Sequence, residues 1–287
     1  MNMKKLLLIL LCFPFIGFGQ KTYVPDDIFE QTLINLGLDD ILDDSVNTSY
    51  IQSVTYLDIN YLDIYDLTGI EAFVSLTELY CNDNQLTSLN LINNTALEYL
   101  YCYRNQLTSL DISQSTNLIE LYCWDNQLTS LDISQNTALE YLYCRNNQLT
   151  SLDINGATAL TQLYCNDNQL TSLDLSQNTA LINLWCADNQ LTSLDINGAT
   201  ALTQLSCNDN QLTSLYLSGA TALVGVECAD NQLTSLDLSG VPTLEYLACS
   251  DNQLTSLDVS QNTALYYLIC RNNQLTSLDV RNGNNMN

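Results

Sequence analysis

The chain has no histidine, and only 7 lysines and arginines stand against 32 aspartates and glutamates in 287 residues. The formal charge of −25 excludes nucleic acid as the partner, because lysine and arginine must neutralise phosphates there. It also disfavours an anionic lipid surface, which needs basic segments. Charged residues are only 14% of the chain, so it is not a charge-rich disordered tail. Beyond Gly19 no apolar run is long enough for a further spanning helix, which takes roughly 18 or more apolar residues in succession.

What is present begins with an export-type leader. Lys4 and Lys5 precede an apolar run from Leu6 to Phe18, and Gly17-Phe18-Gly19 offers a small-x-small cleavage site before Gln20. Residues 1–19 are therefore expected to be a signal peptide, and the mature protein to be secreted or held at the cell surface. Cys12 lies within that leader, behind the bulky Leu10 and Leu11, which do not suit a lipid-acceptor site.

A cysteine then recurs at one fixed interval, ten times without a slip: Cys81, Cys102, Cys123 and so on to Cys270. After two intervening residues each is followed by Asn-Gln-Leu-Thr-Ser-Leu, as at Asn84–Leu89. A fixed period of roughly 20 residues or a little more means a solenoid, with one coil per repeat. Equivalent positions in stacked coils lie roughly 4.8 Å apart. A relaxed disulfide wants its Cβ atoms about 3.8 Å apart, so a column of reduced, buried thiols is expected despite export. Paired C-x-x-C spacings are lacking, and no zinc site or other cofactor is expected.

Within a unit, Leu139, Leu142, Cys144, Asn147 and Leu149 fit L-x-x-L-x-C-x-x-N-x-L. Here the chain resembles the leucine-rich repeat family, over roughly residues 54–280. A second copy is nested inside each unit: Leu128, Leu131, Ile133 and Asn136 fit fully, whereas Ala157 replaces the asparagine one unit on. This resembles the bacterial nested 21-residue class. The 22-residue stretch 54–75, with Asp66-Leu67-Thr68-Gly69-Ile70, resembles internalin-like repeats, and the layout resembles exported Bacteroidota proteins.

The expected organisation is a cap over residues 20–53, a transitional repeat over 54–75, a ten-unit array over 76–280 and a polar tail over 281–287. The cap should hold a short helix over Val24–Gly37 and an acidic loop with Asp39, Asp40, Asp43 and Asp44. The fold class is mainly β: a weakly curved solenoid with short parallel strands on both long sides of each coil. No cap is visible at the C-terminal end, where an open coil invites association.

Repeated positions separate packing from candidate function. The asparagine three after each cysteine is expected to bond the backbone at the turn. Aspartates recur nine after the cysteine, from Asp111 to Asp279, and two after it, including Asp167, Asp188, Asp209 and Asp230. These rows are expected to be solvated surface with local backbone bonds; calcium at the second row is the weaker alternative. The position before the cysteine varies and faces out. It carries Tyr80, Tyr101, Tyr122, Tyr143, Tyr164 and Trp185, and then the aromatic run stops. Tyr99 and Tyr141 flank the stripe on one side, and Tyr103, Trp124 and Arg145 on the other.

Such a stripe packs as a ladder and also presents a rigid binding face, since Tyr and Trp are enriched at hot spots. The expectation is a non-enzymatic, exported binding or adhesion module that meets protein or stacks glycan rings on an extracellular surface. A display spacer for a further domain is the alternative. An enzyme ranks third, because its titratable groups form rows and not a singular pocket.

Overall fold

The computed structural model describes residues 19–281. The leader, but for Gly19, and the tail beyond Arg281 lie outside the described residues.

The N-terminal end is a small cap. Strand β1 (Lys21–Tyr23) pairs antiparallel with β2 (Ser45–Asn47). Between them runs helix α1 (Asp27–Asn35), and α2 (Thr48–Ile51) follows. The first helix is shorter than Val24–Gly37, because Asp26 is its N-cap in extended conformation and Gly37 turns the chain left-handed at φ 74°. Phe29 and Leu33 are fully buried, and the Phe29 ring lies 6.3 Å from Phe73 of the first coil.

Two buried carboxylates pin this cap. Asp26 Oδ1 accepts from Ile28 N and Phe29 N, while Oδ2 accepts from Tyr65 N and Asp66 N of the first coil. Glu30 accepts from the backbone N–H groups of Asp43, Asp44 and Ser45, which shapes the acidic loop. Lys21 pairs with Asp43 at 2.8 Å on the outside. The loop is thus folded around a glutamate by its own backbone.

The array is one parallel sheet of eleven three-residue strands, beginning at Tyr56–Asp58 and ending at Tyr267–Ile269. The first register step, Tyr56 to Glu78, is one position longer than every later one, such as Tyr99 to Glu120. Each strand but the last, where Leu268 is half-buried, buries its central residue, such as Leu100 or Leu121, and turns its flanking residues outward. Strands form on the second long side too, but discontinuously. Three pairs occur: Ser130–Asp132 with Ser151–Asp153, Ser193–Asp195 with Ser214–Tyr216, and Ser256–Asp258 with Ser277–Asp279. There the aspartate after the central leucine accepts from the backbone two residues on, as Asp132 does from Ser134 N at 2.9 Å, which ends the strand in a turn.

The core is a stack of leucines, isoleucines and cysteines. All ten described cysteines are free, nine buried and Cys270 half-buried. Burial pushes the thiols of Cys102, Cys165 and Cys249 up to about 12. Asparagines close each coil: Asn105 Nδ2 donates to Cys81 O and Cys102 O, and its Oδ1 accepts from Leu86 N.

Candidate binding face

The sheet presents three outward columns, set three before, one before and one after each cysteine. The middle column holds the aromatic row. Its rings stack coil upon coil: Tyr80–Tyr101 at 4.6 Å, Tyr101–Tyr122 at 4.5 Å, Tyr122–Tyr143 at 4.4 Å and Tyr143–Tyr164 at 4.3 Å. Trp185 ends the row, 5.3 Å from Tyr164. Strand spacing of about 4.8 Å matches offset ring stacking, so in-register strands stack their tyrosines without strain.

This stacking changes what the row offers. Each inner ring has neighbours on both faces, so ring edges and hydroxyls meet the solvent. The expected stacking of sugar rings along the stripe is therefore closed to the inner tyrosines. Trp185 differs: it is 43% exposed, and the next residue of its column is Ser206.

The hydroxyls lean towards the first column. Tyr80 donates to Glu78 Oε2 at 3.1 Å, and Tyr101 donates to Glu120 Oε2. Burial first, and then the Glu78 carboxylate, push the Tyr80 hydroxyl up to about 12. The same causes raise Tyr101 with Glu120; burial and its tyrosine neighbours raise Tyr143. These phenols remain protonated donors at physiological pH.

The third column forms a second, shorter stack. Tyr103 lies 4.3 Å from Trp124 at an interplanar angle of 7°. The guanidiniums of Arg104 and Arg145 sit 4.8 and 4.7 Å from the Trp124 ring centre. Arg104 also approaches Asp83 at 3.4 Å and Asp125 at 3.6 Å.

Between the middle and third columns lies a groove of about 420 Å³ lined by Tyr101, Tyr103, Tyr122, Trp124, Tyr143, Arg145, Tyr164, Asn166 and Trp185. Eight of the eleven residues singled out from the sequence line it. Tyr80, Tyr99 and Tyr141 do not: Tyr80 sits beneath the tilted Tyr56 ring, and the other two belong to the first column. Asn166 was not anticipated, although it occupies the column of Tyr103, Trp124 and Arg145 and was findable by counting from Cys165.

The acidic rows have backbone roles. The position two after each cysteine is left-handed in all ten coils, with φ between 51° at Arg104 and 55° at Asp167. Asp and Asn tolerate that region best among non-glycine residues, which accounts for most of the row. Asp188 and Asp230 are held above the usual carboxylate range by burial and then by neighbouring aspartates. No group of three or more acidic or cysteine side chains converges as a metal site among the described residues.

The repeat geometry matches known proteins. The family model for leucine-rich repeats, in two copies, matches residues 74–115 and 116–156. The chain is a leucine-rich repeat protein with internalin-like structural neighbours. The functional domain of InlJ from Listeria monocytogenes, which includes a cysteine ladder, is 36% identical with a TM-score of 0.69, over 92% of this chain and 65% of that one. The present chain thus spans just under two thirds of it. The internalin InlF from the same species is 25% identical with a TM-score of 0.77, over 91% and 83% of the two chains. The leucine-rich repeat protein LIC12759 of Leptospira interrogans is 26% identical with a TM-score of 0.62, over 74% and 64%. No curated protein matches the chain. Among the described residues no helix is long and apolar enough to cross a membrane.

Proposed function

We propose that this chain is an exported, non-enzymatic binding module that engages a partner protein on an extracellular surface through its aromatic strand face. Leucine-rich repeat proteins of the internalin type are protein-binding modules. The observation that carries the reading to this face is the groove between the two aromatic stacks, built on rigid strands from eight residues that the repeat pattern leaves free to vary. Its tyrosine edges, with the Arg145 guanidinium, supply apolar area and a charged donor at little entropic cost, which suits a protein surface. With inner ring faces occupied, protein takes precedence over glycan.

The test is a binding screen of residues 20–287 against extracellular proteins and glycans, repeated with Tyr101→Ala/Tyr143→Ala. The double variant should keep its circular dichroism spectrum and lose at least tenfold in affinity for any protein found. Unchanged binding by the folded variant removes the aromatic face from the reading.

A further inference from the structure

The strand face is divided by charge as well as by aromaticity. Between residues 146 and 270 the chain has no lysine or arginine, against twelve carboxylates. Trp185 stands where the aromatic stack stops. Beyond it the middle column falls to Ser206, Glu227 and Ala248, with Ser206 and Ala248 only 6% and 9% exposed. The tall aromatic wall thus faces a low polar floor.

Glu227 is set in that floor. Its Oε2 accepts from Ser206 Oγ at 3.3 Å and Asn208 Nδ2 at 3.2 Å. Asn208 is itself fixed, since its Oδ1 accepts from Ala229 N at 2.7 Å. The carboxylate is therefore oriented, two strand spacings or about 10 Å from the column position of Trp185. The Glu227 carboxylate and the Asn208 amide close over Ser206, so a planar group stacked on Trp185 would rest above this floor, continuing the aromatic stack and meeting the carboxylate at its edge.

The molecule already uses that combination elsewhere. Around Trp124, the Arg104 and Arg145 guanidiniums lie against the indole, and Arg104 also meets Asp83 and Asp125. At Trp185 the indole and the carboxylate are present, and the cation is not supplied by this chain. Past the column of Ala187, Asn208 and Ala229 runs the row Asp188, Asp209 and Asp230, where burial and then mutual repulsion hold Asp188 and Asp230 up. A bound cation relieves that repulsion.

We infer that the open face of Trp185, with Glu227 and the Asp188–Asp230 rim, is the seat for an arginine side chain of a basic partner protein. This rests on the protein-binding reading above and gives the partner's chemistry at one end of the same face. Arginine fits better than lysine, because a planar guanidinium stacks on an indole and presents a two-pronged fork to a carboxylate.

The experiment titrates the full chain with a hexa-arginine peptide and a hexalysine peptide at equal ionic strength, followed by tryptophan fluorescence and calorimetry. The arginine peptide should bind at least fivefold tighter. Trp185→Ala, which leaves the net charge unchanged, and Glu227→Gln should each cost it fivefold or more, with the hexalysine affinity nearly unmoved under Trp185→Ala. Equal binding of the two peptides, indifference to Trp185→Ala, or no binding overturns the inference. Displacement of the arginine peptide by a neutral oligosaccharide overturns it in favour of a sugar seat. A partner lost with Tyr101→Ala/Tyr143→Ala but retained by Trp185→Ala leaves the aromatic face standing and removes only the arginine seat.

Discussion

The side-chain amide of Asn126 donates to the carbonyl oxygen of Cys102, one coil back, at 3.0 Å. It also donates to Cys123 O at 3.1 Å, and its Oδ1 accepts from Leu107 N at 3.0 Å. One side chain thus serves three backbone groups: Leu107 N, which has it as partner, and two carbonyls that each also accept from a neighbouring asparagine, Cys102 O from Asn105 and Cys123 O from Asn147. Asn126→Ala is expected to cost about 2 kcal/mol or more, since it orphans Leu107 N at ~1–3 kcal/mol and removes one of two bonds at each carbonyl. Asn126→Asp should be no better, because an ionised carboxylate cannot donate to either carbonyl. Urea unfolding of both variants checks this; a loss below about 1 kcal/mol would show that water replaces the amide.

The thiol column predicts an alkaline limit. The thiols of Cys102, Cys165 and Cys249 ionise near 9.0 when unperturbed and at about 12 in the folded protein. Above pH 9 the unfolded chain releases protons that the folded one retains. Stability is intact below pH 9 and then falls by up to about 1.4 kcal/mol per thiol per pH unit until the folded thiols ionise. With nine buried thiols acting together, cooperative unfolding is expected at about pH 10, read by circular dichroism. At pH 8 a thiol reagent should modify Cys270 first and the others only after unfolding.

The corner after the second strand segment is built in two ways. A Cβ on Gly156 would lie 2.0 Å from Ser134 O, and one on Gly219 2.2 Å from Asn197 O. These coils bring backbone against backbone and follow the glycine with Ala157 or Ala220. Other coils place Gln before Asn, and the asparagine reaches back instead: Asn136 donates to Ser115 O at 2.9 Å and Asn178 to Ala157 O at 2.9 Å. Gly156→Ala is expected to cost about 2 kcal/mol or more in thermal unfolding. Gly156→Gln should be worse, and adding Ala157→Asn should recover part of the loss. Simple additivity in that double-mutant cycle would sink the two-corner account.

Asp26 joins the cap to the array, since its two carboxylate oxygens accept four backbone N–H groups. Asp26→Ala is expected to remove about 3 kcal/mol or more. Amide exchange should quicken in Asp27–Asn35 and in the first coil, with the distant coils protected. Uniform loss across the array would mean that the cap nucleates folding of the whole stack.

Much of this was legible because a solenoid writes its own register. Counting from each cysteine identified the buried leucines, the capping asparagine and the outward column with Tyr101 and Trp185. What stayed hidden depends on torsions and on contacts between coils. The left-handed turn at Asp83, Asp125 and Asn146 was masked by Arg104 in the same row, and the row read as surface charge. The buried roles of Asp26 and Glu30 were invisible because a carboxylate in an acidic segment reads as solvated. The closed faces of the tyrosines followed from stacking geometry, which residue type alone does not give.

The asparagine ladder also has a direction. Leu86 N meets its side-chain partner only when Asn105 arrives from the following coil, where Cys81 O, already bonded to Asn84 of its own coil, gains a second donor; the same holds at each later step. At this turn every coil is completed by the asparagine of its successor. A chain emerging from its N-terminus, at a ribosome or through a secretion pore, can therefore lock each coil as the next one clears the exit. Growth of the structure runs the same way as synthesis, with a single unfinished edge at any moment.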